Sequence, residues 1–152
     1  MTRKYPYYPA WDGGKASPVI MKCVELCHKR WGMTNLGTYV NRDMRDKPGQ
    51  KSVHATGFAC DMGGDIATLE KAWKWFIENS AAIGLAEAHF YKMPNTKFGA
   101  GYRCSRGEGK AGVLVYKTAK ESAGTGGLWL HIELEDQDPV KWEETFRALK
   151  PA

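Results

Sequence analysis

Apolar positions recur along this chain with two different periods, and each period predicts a different kind of element. Between Ser17 and Gly32, Ile20, Cys23, Val24, Cys27 and Trp31 fall at helical spacing and form one stripe of an amphipathic helix. Ser17 is placed to cap that helix, Pro18 suits its first turn and Gly32 can close it. A second stripe, Leu69, Trp73, Phe76 and Ile77, predicts a helix capped by Asp65 and running to about Ser80. A third helix is expected to start at Asp138-Pro139, to turn Trp142, Phe146 and Leu149 inward, and to stop before Pro151.

Strand patterns fill the intervals. "LWLHIELE" at 128–135 is the clearest, and "LAEAHFY" at 85–91 alternates well enough to join it. "GFACDM" at 57–62 and "LGTYV" at 36–40 are shorter candidates, and "GVLVYKT" reads as a short edge strand. The polar stretch 41–52, with its Pro-Gly pair, is expected to be a loop. So is the glycine-rich stretch 93–112, while "GTGG" at 124–127 reads as a turn and the first 16 residues as an arm. Strands arriving in sequence-adjacent pairs between helices predict an α+β fold, a small antiparallel sheet with helices on one side, in a single domain over residues 1–152.

Composition narrows the classes of function. The chain has 152 residues, 43% of them hydrophobic and 26% charged, which is the balance of a globular domain. The formal charge of +5 favours an anionic partner such as an acidic polymer. The cations are spread rather than clustered, which argues against a nucleic-acid-binding arm. No apolar run approaches the ~20 residues of a membrane span, and the N-terminal stretch has no apolar leader, so synthesis and folding in a cytoplasm are expected. Cys23, Cys27, Cys60 and Cys104 form no CxxC pair and are expected to be reduced, buried thiols. Cys23-x3-Cys27-His28 has the spacing of a metal corner, but also that of one apolar helix face, and the latter is preferred. "GEGKAG" at 107–112 lacks the spacing of a phosphate-binding loop.

The histidines are few: His28, His54, His89 and His131. His28 belongs to the first helix. His131 stands in the middle of the strongest strand, where an unpartnered imidazole is a costly core residue. His54 precedes a strand that contains Asp61. Gly57 allows the chain to fold back between them, Ala59 leaves the face of Asp61 clear, and Ser52 can hydrogen-bond near His54. His54, Asp61 and His131 are therefore candidate ligands of a catalytic zinc, which takes three protein donors and an open position. Ordinary polar roles for the three stay open at this stage.

Ser52-x-His54-x-x-Gly57-x-Ala59-x-Asp61 resembles the SxHxxGxAxD signature of the zinc-dependent D-Ala-D-Ala carboxypeptidase and L-Ala-D-Glu endopeptidase group. "GTYVNR", "LAEAHFY" with "FGAGYR", and "LHIEL" resemble the flanking segments of that group, so the likeness spans roughly residues 17–135 and is strong only at 52–61. It implies a hedgehog-type fold, a Zn2+ ion held by His54, Asp61 and His131, and Arg42 facing the substrate, with Arg45 as the alternative. Ser52 goes with them as a neighbour of the substrate cleft. The resemblance further implies a peptidoglycan hydrolase like a phage endolysin. Such a protein is made in a host cytoplasm and acts at the bacterial cell wall, free or built into a virion, as a monomer without nucleic acid or membrane. The group's proton-handling residue lies three or two positions before the last histidine, where this chain has Leu128 and Trp129. Glu133, Glu87 and His89 are the substitutes by strand parity. The alternative is a non-catalytic wall-binding or virion structural module on the same fold.

Overall fold

The computed structural model describes residues 1–6, 8, 14–44, 47–122 and 127–151. Three helices and eight strands follow one another along them: α1 (Pro18–Trp31), β1 (Thr34–Gly37), β2 (Asp43–Met44), β3 (Lys47–Lys51), β4 (Ala59–Gly63), α2 (Ile66–Glu78), β5 (Leu85–Phe90), β6 (Ala100–Arg103), β7 (Val113–Val115), β8 (Trp129–Leu134) and α3 (Pro139–Ala148). Single 3₁₀ turns stand at Val53–Thr56 and Gly109–Gly112.

Capping chemistry sets the helix limits. The Asp65 carboxylate accepts from Thr68 N at 2.8 Å, and that of Asp138 from Val140 N at 2.8 Å. Gly32 ends α1 in the left-handed conformation at φ 67°, where a side chain would be strained. Ser17 departs from expectation, because its hydroxyl makes no cap bond. Its backbone N–H instead donates to Gly57 O at 2.8 Å, tying the start of α1 to the segment before β4.

Six strands form one antiparallel sheet in the order β1-β4-β8-β5-β6-β7. Alternation divides its central strands into two faces. Cys60, Met62, Leu130, Ile132, Leu134, Ala88, Phe90, Ala100 and Tyr102 join the helices in one buried cluster. α1 packs on β4 and α3, and α2 on β5 and β8. Where α1 meets α3, Arg30 lies 3.8 Å over the Phe146 ring and donates to Phe146 O at 2.9 Å. The buried indoles of Trp75 and Trp142 find carbonyl acceptors in Lys150 and Ile83. The other face of the sheet is left for the cleft. The α+β class, the antiparallel sheet and the one-sided helices agree with the sequence reading. Among the described residues no helix is long and apolar enough to cross a membrane.

Three local readings need correction. The first strand is Thr34–Gly37 rather than 36–40. The expected loop 41–52 contains the β2–β3 hairpin, in which Gly49, within β3 at φ 89°, donates its N–H to Asp43 Oδ2 at 3.1 Å. The glycine-rich stretch 93–112 contains β6, whose Ala100 and Tyr102 are fully buried. Neighbours press close on Gly99, Gly101, Gly107 and Gly112: a Cβ on Gly99 would sit 2.5 Å from Phe90 O. The expected turn 124–127 falls largely outside the described residues.

Candidate metal centre and cleft

Strand parity and register together assemble the polar face of the sheet. β4, β8, β5 and β6 align Asp61, His131, His89 and Gly101 in one row. The next row holds Ala59, Glu133, Glu87 and Arg103. The small residues leave space for their neighbours. Tyr116 lies over Gly101, where an added Cβ would sit 1.8 Å from its hydroxyl, and that hydroxyl hydrogen-bonds His89 Nδ1.

His54 arrives from the 3₁₀ turn before β4. Ser52 caps this turn, its Oγ accepting from His54 N at 3.3 Å, and Gly57 closes it at φ 81°. The imidazole Nδ1 lies 2.7 Å from Thr38 O. A carbonyl only accepts, so Nδ1 carries a proton there and Nε2 is the nitrogen turned to the centre. That Nε2 lies 3.3 Å from Asp61 Oδ2. His131 is oriented in the same manner by a different partner. Its Nε2–H donates to Glu133 Oε2 at 2.8 Å, which leaves Nδ1 facing Asp61 Oδ1 at 2.9 Å. One donor atom from each of His54, Asp61 and His131 thus converges, all within 4.8 Å of one another.

This donor set fits the zinc that the resemblance implies. Bonds of about 2.0–2.2 Å in a tetrahedron place ligand atoms roughly 3.3–3.6 Å apart, close to the separations here. Both histidines have the outer nitrogen hydrogen-bonded to an acceptor and the inner one turned to Asp61, the usual orientation of metal-ligating imidazoles. Asp61, Glu87 and Glu133 bring three carboxylates to the polar face, and Arg103 Nη2 lies 3.0 Å from both oxygens of Glu87. A second group with metal-ligand chemistry, Glu87, His89 and Glu133, adjoins the first. Its carboxylates are already taken by Arg103, His131 and Tyr5.

Without a metal the centre compensates internally. Burial alone lowers the affinity of His131 for a proton, but Asp61 and Glu133 on either side raise its pKa well above the usual histidine value. Burial alone raises that of Asp61, yet hydrogen bonds from His131 and His54 hold it below the ordinary carboxylate range. Glu87 is likewise brought down against its burial to about 2, by His89 and Arg103. Burial and then the Glu133 charge push the Tyr5 phenol far up, so it remains a donor.

The face opens into a cleft of about 1370 Å³ that includes His54, Asp61, Glu87, His89, His131 and Glu133. Arg42, Lys47, Lys51 and Lys120 give it a basic rim. Arg42 is exposed, and its carbonyl accepts from Ser52 N at 2.9 Å, joining the hairpin to the His54 turn. Arg45 lies outside the described residues. Ser52 is buried beside the cleft, with its Oγ accepting from His54 N in the turn. His28 stays on α1 with Nδ1 2.9 Å from Met33 O, so no metal corner forms with the four free, buried cysteines.

Sequence reasoning missed Arg103, Tyr116 and Tyr5. Arg103 sits in a stretch read as loop, although "GYR" alternates like a strand. Tyr116 follows directly on the edge strand β7, whose face a local pattern cannot orient, and Tyr5 is brought in by an arm with no periodicity. Comparison with protein-family models, curated proteins and solved structures found no match.

Proposed function

We propose that this chain is a zinc-dependent peptidase that cuts a stem-peptide bond of bacterial peptidoglycan, in the manner of a phage lysin, on a hedgehog-type fold. The observation that carries the reading is the convergence of His54, Asp61 and His131, residues supplied by the signature and the last strand, at the floor of one cleft. Zinc, when bound, supplies Lewis-acid activation of water and of a peptide carbonyl near neutral pH.

The chain's own residues divide the remaining work. Arg42 and the hairpin lysines bind carboxylates of the acidic wall peptide at the rim. Glu133, with one oxygen on the ring of His131 and the other on Tyr5, holds a ligand in place. The proton role falls to His89 and Glu87. Glu87 Oε1 lies 3.2 Å from His89 Nε2 on the cleft side, while Tyr116 holds Nδ1 from behind. A proton taken up at this pair passes to the leaving amine. Leu128 and Trp129, at the positions where the similar peptidases carry their proton-handling residue, favour a second reading: a module that binds wall peptide and zinc without cleavage.

Clearing of purified cell walls by zinc-loaded protein, abolished by chelator and restored by zinc, is the expected result. His89→Gln and Glu87→Gln should each lower turnover by roughly 100-fold or more at full zinc occupancy, and Glu133→Gln should weaken zinc binding instead. Protein that holds zinc and sediments with walls but never clears them establishes the binding module. Absence of zinc uptake at neutral pH refutes both readings.

A further inference from the structure

The N-terminal arm reaches the metal centre through one line of hydrogen bonds. Arg3 pins the arm across the ends of three strands. Its backbone N–H donates to Cys104 O at 3.0 Å, and its guanidinium bonds Glu108 at 2.6 Å, Glu135, and Leu85 O at 2.7 Å. Two residues on, the Tyr5 ring lies 4.3 Å from the Arg103 guanidinium, and its hydroxyl donates to Glu133 Oε1. Glu133 is only 4% exposed, so water is a poor substitute for either of its donors. Its other oxygen receives the His131 Nε2–H, and the opposite nitrogen of that ring faces Asp61.

We infer that Tyr5 is a positioning residue of the metal centre, fixing Glu133 and through it the ring of His131, so that the N-terminal arm sets metal affinity. The inference rests on the proposed metal centre. Glu133 without Tyr5 keeps one donor and one bare buried oxygen. The carboxylate then turns to recover a partner, and its hold on His131 Nε2–H loosens. Loss of an outer hydrogen-bond partner of a metal-ligating histidine weakens metal binding by about 10–100-fold.

Zinc affinity of the full-length chain, measured by chelator competition, tests this. Tyr5→Phe keeps the ring and its contact with Arg103, so the metal-free protein should melt within a few degrees of the unmodified one while binding zinc about 10–100-fold more weakly. Glu133→Gln should show a similar loss, and the double variant no more than Glu133→Gln alone, because both act on one line. Tyr8→Phe is the control on the same arm. The Tyr8 hydroxyl accepts from Asp136 N at 2.9 Å, off the line, and its loss should leave zinc affinity unchanged. Zinc affinity within 2-fold of the unmodified chain in Tyr5→Phe, or a fully additive double variant, overturns the inference and leaves the metal centre standing. Failure of the unmodified chain to take up zinc overturns the metal centre itself. If Tyr5→Phe melts far lower without metal, the cobalt-loaded absorption spectrum decides: an unshifted band makes Tyr5 purely structural and overturns the inference.

Discussion

Gly101→Ala tests the proton-handling pair without touching a metal ligand. The backbone at Gly101 lies outside the left-handed region, so alanine is not excluded by conformation. Its methyl would sit 1.8 Å from the Tyr116 hydroxyl, 2.8 Å from the adjoining ring carbon and 3.0 Å from His89 Nδ1. An ordinary contact needs about 3.5 Å, so the phenol must retreat by roughly 1.7 Å, which breaks its bond to His89. The lost hydrogen bond costs about 0.5–1.5 kcal/mol and the overpacking about 1–3 kcal/mol. Together these lower the melting temperature by on the order of 5–15 °C in a domain of this size. Tyr116→Phe removes the hydroxyl without the clash and should cost only ~1 kcal/mol, or about 2–4 °C. Both variants take the Tyr116 bond from His89 Nδ1. Wall-clearing turnover should therefore fall by a similar factor in each, with zinc still stoichiometric. The measurements are thermal melts, zinc analysis and clearance of purified walls. A Gly101→Ala protein that melts and turns over like the unmodified chain would refute the placement of Tyr116. Equal melting loss with intact turnover would remove His89 from the chemistry.

His54→Ala and Asp61→Ala should each abolish stoichiometric zinc, read by metal analysis after gel filtration, because each removes one of three donors. Arg42→Ala should lower wall hydrolysis or wall-peptide affinity with less than about 0.5 kcal/mol change in stability, since the side chain is exposed on the rim. A marked stability loss with unchanged activity would make Arg42 structural. Burial raises the Glu108 pKa, but hydrogen bonds from Arg3, Tyr102 and Ser80 and the Arg3 charge outweigh it and bring the group below its ordinary value. A depressed carboxyl stabilises the fold above its unfolded-state pKa of about 4.3, and that contribution disappears as pH falls through the folded value. The melting difference between the unmodified protein and Glu108→Gln should therefore be full near neutrality and shrink below about pH 4; a difference that grows on acidification contradicts the pairing.

The helices were legible because their information is local. Stripes such as Ile20, Cys23 and Cys27 or Leu69, Trp73 and Phe76 repeat within a few residues, and the Asp65 and Asp138 caps sit beside the turns they close. Parity was legible for the same reason: it put His131 with Glu133 and Glu87 with His89 before any strand was paired. Pairing itself is not local. That β8 runs between β4 and β5 brings Asp61, His131 and His89 into one row, and no pattern within a single strand contains that order. The partners of Glu133 are set in the same way. Parity alone made it a candidate base, whereas Tyr5, 128 residues away in sequence, and the ring of His131 occupy both its oxygens. The hairpin at Asp43–Lys51 and the strand Ala100–Arg103 were hidden by glycine and proline, which signal turns when read locally. In the fold, Gly101 provides room for the Tyr116 hydroxyl instead. Sequence determines what each segment can form and which way its side chains alternate. Only tertiary packing decides which segments meet, because one buried cluster must be closed by all of them together.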